Sequence, residues 1–216
     1  MNKSKEDYFR NHRISVSDFL NKGPHRILDV GCGAGNFGAF LKQNGFASEV
    51  VGIEMDRNAA NEALSNLDNV YCVDLNQTRV GQLLSVDSIK LFDYIVCTDV
   101  LEHLIDPWQT LSDLSAYLSP QGRVVVSIPN ARHWTLWLPL VLKGRWNYQD
   151  AGIIDRTHLR FFTRATIYDL FSGAGLAVVK THPLIGGKWR LVDRYSLHLL
   201  RDIVAVQWVF VGVPKS

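Results

Sequence analysis

The chain has 216 residues, a length that suits one domain with a sizeable core or one domain with a substantial insertion. Its composition, 47% apolar and 20% charged, is typical of a globular protein, and a net charge of +2 is too small to indicate a nucleic-acid partner. The polar N-terminus predicts no secretion signal, and no run reaches the about 18 apolar residues of a membrane span. We therefore expect a cytoplasmic protein with reduced cysteines at Cys32, Cys72 and Cys97.

The first half of the chain alternates apolar runs with amphipathic segments. Strands are predicted at 26–30, 49–54, 69–73, 92–98 and 122–128. Helices are predicted at 36–44, 57–66, 80–86 and 107–118. The strands are β-branched and almost continuously apolar, as expected when helices cover both faces of a parallel sheet. This alternation predicts a doubly wound α/β sheet.

The regular alternation stops after Pro129. Residues 130–162 are rich in Trp, Arg and His and lack a clear period, so they are predicted to be an inserted segment. A helix follows from Thr163 to about Gly173, and two closing strands are predicted at 176–182 and 204–213. Since no linker or repeat separates a second unit, we expect one domain over residues 1–216.

A glycine-rich stretch, ILDVGCGAGNFG at 27–38, follows the first strand. The strand ends in Asp29, and the chain turns through Gly31, Gly33 and Gly35 into a helix, at the sheet edge where ligands bind. Glycines let a ligand approach the backbone, and the helix N-terminus offers free N–H groups. Residues 33–38 also match the dinucleotide fingerprint G-x-G-x-x-G, although this register starts late after the strand. The loop alone therefore leaves a dinucleotide such as NAD, a different cofactor or a turn without a ligand open.

Five segments in order resemble the motifs of class I S-adenosylmethionine-dependent methyltransferases: LDVGCGAG, VGIEMD, CVDL, FDYIVCTDVLEHLIDP and LSPQGRVVVSIPN. The resemblance covers nearly the whole chain. It implies a Rossmann-like, seven-stranded, mostly parallel sheet in the order 3-2-1-4-5-7-6, with the last strand antiparallel. It also implies S-adenosyl-L-methionine as the cofactor and methyl transfer as the activity.

The resemblance assigns cofactor contacts to the strand ends. Glu54 is expected to accept hydrogen bonds from the ribose hydroxyls, and Asp74 from the adenine amino group. Asp29 is expected to face the cofactor's ammonium or to fix the glycine loop. For Glu54 and Asp74, a helix cap or a solvated strand end is the alternative. The predicted cofactor-binding residues are Asp29, Gly31, Cys32, Gly33, Gly35, Glu54, Met55, Asp74, Leu75, Thr98 and Asp99.

The segment after the fourth strand, TDVLEH, bears on the methyl acceptor. It lacks the Asn/Asp-Pro-Pro-aromatic signature of enzymes that methylate base amino groups. Its EHL form resembles small-molecule O-methyltransferases, including those of ubiquinone biosynthesis. His103 is a candidate for receiving the proton of an acceptor hydroxyl, unless it only packs against the following helix. A second candidate is His158, in DRTHLRFFT, which resembles a segment of methyltransferases that accompany polysaccharide pathways.

The inserted segment 130–162 is expected to recognise the acceptor, a small molecule or a glycan. Its aromatic and arginine side chains suit stacking on sugar rings and clamping of phosphate or carboxylate. The predicted substrate-binding residues are Arg132, His133, Trp134, Arg156 and Arg160. Alternatively, residues 134–142 form a helix that covers the core, and the arginines are solvated. No metal site is expected. Two other functions stay open at this point: a cofactor-binding partner or regulator without turnover, and an NAD-binding oxidoreductase.

Overall fold

The computed structural model describes residues 15–83 and 91–215 of the chain. Seven strands form one sheet in the order β3-β2-β1-β4-β5-β7-β6. Strands β1 to β5 are parallel to one another, and β7 is antiparallel to both β5 and β6. The expected strand order and the antiparallel last strand are therefore confirmed. The strands are β1 (Arg26–Val30), β2 (Glu49–Glu54), β3 (Asn69–Cys72), β4 (Phe92–Thr98), β5 (Leu118–Pro129), β6 (Leu176–Leu184) and β7 (Gln207–Pro214).

Eight α-helices lie within the described residues. They are α1 (Asn36–Gln43), α2 (Arg57–Ala63), α3 (Val80–Leu83), α4 (Pro107–Ser115), α5 (Trp134–Lys143), α6 (Arg164–Gly173), α7 (Trp189–Tyr195) and α8 (Arg201–Val204). The part of the predicted 80–86 helix that follows α3 lies outside the described residues. Short 3-10 helices occur at Ser17–Phe19 and Leu101–His103. No helix in 15–83 or 91–215 combines the length and the apolar character needed to cross a bilayer.

Side-chain caps explain why several helices begin where the sequence predicts. The Asp56 carboxylate accepts from the N–H of Ala59 at the start of α2, and Asp106 caps α4, whose first residue is proline. At the start of α6, Thr163 forms a reciprocal capping box with Thr166. These local hydrogen bonds satisfy N–H groups that have no partner inside the helix.

Both faces of the sheet are buried. In β1, Leu28 packs in one apolar cluster with Leu111 of α4, whereas Ile27 packs in a second cluster with Leu41 of α1. Successive strand residues point to opposite faces, so a sheet covered on both sides needs apolar residues at nearly every position. This packing leaves the carboxyl ends of β1 to β4 at one edge, where polar side chains face a cavity.

The structure corrects the last part of the predicted element pattern. Strand β7 begins at Gln207, because Val204 belongs to α8. Neither α7 nor α8 was predicted. Their segment is held by a polar contact instead of an apolar stripe: Asp193, which is 7% exposed, accepts hydrogen bonds from Arg201 at 3.1 and 3.2 Å and contacts His198 Nδ1 at 2.9 Å. A helix held in this way has no hydrophobic period to detect.

We expect Asn130→Ala to lower the free energy of unfolding by about 1–3 kcal/mol, because it leaves buried backbone groups unpaired. The Asn130 side chain is fully buried after β5, and its Nδ2 donates to the carbonyls of Asp202 and Ala205 at 2.8 and 2.7 Å. Urea denaturation measures the change. The control is Asn44→Ala, whose exposed amide bonds to Phe40 and whose loss should cost within about 0.5 kcal/mol. Equal effects of the two substitutions would contradict this role for Asn130.

Candidate active site

A cavity of about 500 Å³ opens at the carboxyl edge of the sheet, a size typical of small-molecule sites. The glycine loop, the ends of β2 and β3 and the segment after β4 form its walls. The predicted residues that line it are Gly31, Gly33, Glu54, Met55, Asp74, Leu75, Asp99 and His103. Most residues of the cavity wall could therefore be predicted from the sequence, because these positions follow the strand ends.

The glycine loop is attached to β2 and leaves room beside the cavity. The N–H groups of Gly31 and Cys32 both donate to the carbonyl of Ile53, at 2.8 and 3.1 Å. Gly33 has φ of +56°, and a Cβ built on it would meet no atom within 4 Å. A ligand can therefore reach the backbone at Gly33, which is the condition for binding the cofactor's methionine part here.

Two predicted residues of this loop do not line the cavity. The Cys32 side chain is 2% exposed and belongs to an apolar cluster, and its sulfur lies 3.6 Å from the carbonyl oxygen of Gly33. Gly35 has φ of +77°, and a Cβ there would lie 3.0 Å from Leu67 and 3.1 Å from the backbone of Ala63. Cys32 and Gly35 thus hold the loop against the core and against α2.

Glu54 is fixed at the cavity by three backbone N–H groups. Its Oε2 accepts from Gly33 at 2.8 Å, and its Oε1 accepts from Met55 at 2.8 Å and Asp56 at 2.9 Å. A carboxylate offers about four acceptor positions. In this geometry Glu54 therefore has capacity for one further hydroxyl, and it also ties the glycine loop to the end of β2. The alternative of a solvated strand end does not describe this residue.

Asp74 both caps a turn and lines the cavity. Its Oδ1 accepts from the N–H of Asn76 at 2.9 Å, and its Oδ2 accepts from Nε2 of Gln77 at 3.1 Å. Asn76 is a cavity residue that the sequence analysis missed. Its side-chain oxygen accepts from the N–H of Ile105 at 2.7 Å and so joins the loop after β3 to the segment after β4. One indication of this role was present in the sequence: Asn76 is a polar residue shortly after Asp74.

The other predicted residues at the ends of β1 and β4 differ in position. Asp29 and Thr98 are each 1% exposed and do not line the cavity. Asp99 does line it and has φ of +56°, a conformation that residues other than glycine rarely adopt. The side chain of Asp99 accepts a short hydrogen bond from Gln207 of β7. Burial raises the pKa of the Cys97 thiol, and the carboxylates of Asp29 and Glu102 raise it further.

The structure brings the two candidate histidines together. The rings of His103 and His158 lie 4.7 Å apart, centroid to centroid, in an edge-to-face arrangement. Their segments are joined because the N–H groups of Leu159 and Arg160 donate to the carbonyl of Glu102 at 2.8 and 3.0 Å. His103 lines the cavity, and His158 is 9% exposed behind it. The two candidates for receiving the acceptor's proton therefore belong to the same site.

The hydrogen bonds of His103 define its tautomer. Its Nδ1 lies 3.2 Å from the carbonyl oxygen of Thr157, and since a carbonyl only accepts, Nδ1 carries the proton. Burial lowers the pKa of His103, and the neighbouring His158 lowers it further. Neutral His103 therefore presents an unprotonated Nε2. In the adjacent Glu102, burial raises the carboxyl pKa well above its usual value, and the charge of Asp99 adds to the rise.

None of the predicted substrate-binding arginines lines the cavity of Glu54 and Asp74. Arg132 pairs with Asp202 at 3.3 Å, and Arg156 pairs with Asp150 at 3.2 Å. Arg160 donates to a backbone carbonyl of the loop that follows the 3-10 helix Leu101–His103, with its Nε at 3.1 Å. Arg160 thus holds the loop at the histidine pair, whereas the guanidinium groups of Arg132 and Arg156 remain largely exposed.

The first part of the inserted segment forms α5 and the turn before it. His133 is 6% exposed, and the Trp134 ring lies 5.2 Å from that of Trp189 in α7. Only Leu136 of α5 is buried, and Val141 is 71% exposed. Helix α5 is therefore not mainly a cover for the core, contrary to the alternative interpretation of this segment.

A second cavity of about 700 Å³ lies at the carboxyl end of β6. Its lining includes His182, Arg190, Asp193 and Arg201. None of the predicted site residues lines this second cavity. The glycine loop and the acids at the strand ends line the cavity of about 500 Å³.

Comparison with known proteins identifies the family of the chain. Residues 6–181 match the model of a family described as a methyltransferase domain. The ubiquinone biosynthesis O-methyltransferase of Alkalilimnicola ehrlichii is 35% identical, over 81% of this chain and 71% of that protein. The enzyme of the same name from Rickettsia canadensis is 25% identical, over 82% of this chain and 76% of that protein. A solved SAM dependent methyltransferase from Archaeoglobus fulgidus has a TM-score of 0.68 at 18% identity, covering 94% of this chain and 93% of that one.

The strand order is that of the class I S-adenosylmethionine-dependent methyltransferase fold, and the open glycine loop and the two acids meet at one cavity. The chain belongs to the methyltransferase-domain family, and it is an S-adenosylmethionine-dependent methyltransferase. The NAD-binding oxidoreductase considered from the glycine pattern is therefore set aside.

We expect Glu54→Ala to weaken binding of S-adenosylhomocysteine by about 1–3 kcal/mol, the usual effect of losing a charged hydrogen-bond partner. The substitution removes an acceptor at the cavity and releases the N–H of Gly33. Isothermal titration calorimetry measures the affinity. Glu49→Ala is a matched control, because Glu49 is at the opposite end of the same strand, paired with Arg26 at 2.9 Å. An unchanged affinity in Glu54→Ala would contradict the ribose assignment.

Proposed function

We propose that this methyltransferase methylates a hydroxyl oxygen of a small molecule or a glycan intermediate. The observation that carries the proposal is the His103–His158 pair, with His103 in the wall of the cavity that holds Glu54 and Asp74. An oxygen acceptor must lose a proton during transfer, and imidazole is a suitable group beside it. The relatives named ubiquinone biosynthesis O-methyltransferases support an oxygen acceptor.

The glycine loop, Glu54 and Asp74 would hold the cofactor, with Gly31, Met55 and Leu75 in the same wall. When bound, S-adenosylmethionine supplies a methyl carbon already activated by a positive sulfur. The chain's task is then mainly alignment: the acceptor oxygen must lie about 3 Å from the methyl carbon, opposite the sulfur. Asp29 and Thr98, buried behind the cavity, would fix the strand ends that carry these contacts.

His103 would act on the acceptor hydroxyl. With Nδ1 donating to Thr157, its Nε2 lone pair is available to accept the hydroxyl hydrogen. His158 would keep the His103 ring in place, since its own Nδ1 lies 2.9 Å from the carbonyl oxygen of Ile153 and the two rings are in contact. These contacts support a role for the pair in orienting and deprotonating the acceptor.

We further propose that residues 130–162 recognise the acceptor within a single domain of residues 1–216. Thr157 of this segment lines the cavity, and the following residues hydrogen-bond to Glu102. In this proposal the exposed guanidinium groups of Arg132 and Arg156 contact the acceptor, together with Trp134. His133 and Arg160 would shape the segment from inside.

Methyl transfer from labelled S-adenosylmethionine to a panel of acceptors tests the proposal. The panel pairs each hydroxyl compound, phenolic or sugar-like, with the matching amine. We expect the label on oxygen, identified by mass spectrometry of the product, and no label on the amines. Transfer to nitrogen, or no transfer to any hydroxyl compound while the cofactor binds, would contradict it.

A further inference from the structure

Three metal-ligating side chains lie together at the acceptor end of the cavity. Ligand atoms of Glu102, His103 and His158 all lie within 4.8 Å of one another. Two come from the 3-10 helix after β4, and the third comes from the inserted segment. The backbone hydrogen bonds from Leu159 and Arg160 to the Glu102 carbonyl hold the two segments together. This is a built arrangement on ordered backbone and not a surface cluster of acids.

In both histidines the same ring nitrogen, Nδ1, lies at hydrogen-bond distance from a backbone carbonyl. His103 Nδ1 lies 3.2 Å from the carbonyl oxygen of Thr157, and His158 Nδ1 lies 2.9 Å from that of Ile153. Each carbonyl requires a proton on Nδ1, so each Nε2 keeps its lone pair. Metal-binding histidines are typically oriented in this way, by donating the other ring N–H to a backbone carbonyl.

Glu102 provides a second, independent indication. Its side chain is 1% exposed, and apart from its own backbone N–H neither carboxylate oxygen has a hydrogen-bond partner in residues 15–83 and 91–215. A buried carboxylate without partners is costly unless it is protonated, paired with a charge or bound to a cation. No salt bridge of Glu102 occurs in those residues, so either protonation or a bound cation must satisfy this carboxyl group. The two imidazoles beside it complete a donor set for a cation.

We propose that Glu102, His103 and His158 bind one divalent transition-metal ion and that Zn²⁺ is the preferred ion. Two imidazoles and one carboxylate match the three protein ligands of catalytic zinc sites, which keep one position open. Ligands of a tetrahedral zinc ion lie about 3.4 Å from one another, given metal–ligand distances of about 2.1 Å. The three ligand atoms lie within 4.8 Å of one another, so binding an ion requires the widest pair to approach by about 1.4 Å at most.

The catalytic role of the ion rests on the proposed function, whereas its binding does not. An ion with an open position lowers the pKa of a hydroxyl that binds it. The acceptor oxygen then forms its bond to the methyl carbon as the carbon–sulfur bond breaks. The sulfonium becomes a neutral thioether, and the hydroxyl proton leaves to solvent. In this arrangement His103 is a ligand of the ion and not the proton acceptor.

Direct metal binding tests the proposal. The full chain is freed of metal with a chelator and titrated with Co²⁺, whose visible absorption reports imidazole ligands, and with Zn²⁺ followed by elemental analysis. We expect one ion per chain. Glu102→Gln and His158→Ala should each weaken metal binding by about 10–100-fold or more. Loss of an outer-shell partner alone costs about 10–100-fold, and these two residues are proposed as direct ligands. His25→Gln is the control, because His25 precedes β1 at the opposite edge of the sheet.

The outcomes separate this proposal from the proposed function. Calorimetry with S-adenosylhomocysteine shows that each variant is folded and keeps its cofactor site. Absence of stoichiometric binding in the metal-free chain, or binding that Glu102→Gln and His158→Ala leave unchanged, would overturn the metal site. If the metal-free chain methylates a hydroxyl acceptor at its full rate, the ion has no role in the proposed function. If an ion binds through these residues but no hydroxyl compound is methylated, the metal site stands and the proposed function fails.

Discussion

Gly33→Val is expected to abolish binding of S-adenosylmethionine while the chain stays folded. Gly33 lies in the cavity wall, and a Cβ there meets no protein atom within 4 Å. A valine side chain would therefore enter the space beside the glycine loop without clashing with the core. The φ of +56° adds a strain of roughly 1–2 kcal/mol for a residue with a Cβ, which a folded domain tolerates.

Calorimetry with S-adenosylhomocysteine measures the loss, and circular dichroism shows that the sheet is retained. Gly45→Val is the matched control: Gly45 also has positive φ, +75°, and open space around its Cβ, but it lies after α1, outside the cavity wall. The control carries the backbone strain without the obstruction, so its affinity should equal that of the unmodified chain. Normal cofactor binding by Gly33→Val would mean that this loop is not the site.

The sheet was largely predictable because of the way it is buried. Strands β1, β2 and β4 have the bounds predicted from their continuous apolar runs. A parallel strand covered on both faces is apolar at nearly every position. The change from apolar to polar residues therefore marks both of its ends in the sequence. The amino end of β5 was missed: the strand begins at Leu118, in a polar stretch that includes Pro120 and Gln121 and looks like a turn.

The cavity wall was predictable for the same reason, since its acids follow the strand ends. The pairing of His103 with His158 was not. It depends on hydrogen bonds from the N–H groups of Leu159 and Arg160 to the carbonyl of Glu102, and such backbone contacts between distant segments leave no pattern in the sequence. Glu102 was not predicted as a site residue, because burial of a carboxylate cannot be recognised from residue type.

Replacing His103 by alanine should lower turnover roughly 10²–10⁴-fold and leave the affinity for S-adenosylhomocysteine nearly unchanged. The ring lies in the cavity wall, whereas the groups proposed to hold the cofactor include Gly33 and Glu54, which bond to each other and not to His103. Initial rates with a hydroxyl acceptor, measured at saturating cofactor, report the change. A large loss of cofactor affinity would show instead that His103 belongs to the cofactor site.

His158→Ala decides how His103 acts. If His103 receives the proton and His158 only supports its ring, the loss in His158→Ala should be clearly smaller and should appear partly in the acceptor KM. If both rings bind one metal ion, the two substitutions should reduce kcat to a similar extent, because either one removes a ligand. His25→Ala controls for the loss of an imidazole far from the cavity, before β1. Full loss in His158→Ala with normal turnover in His103→Ala would transfer the catalytic role to the inserted segment, where His158 is held by the carbonyl of Ile153.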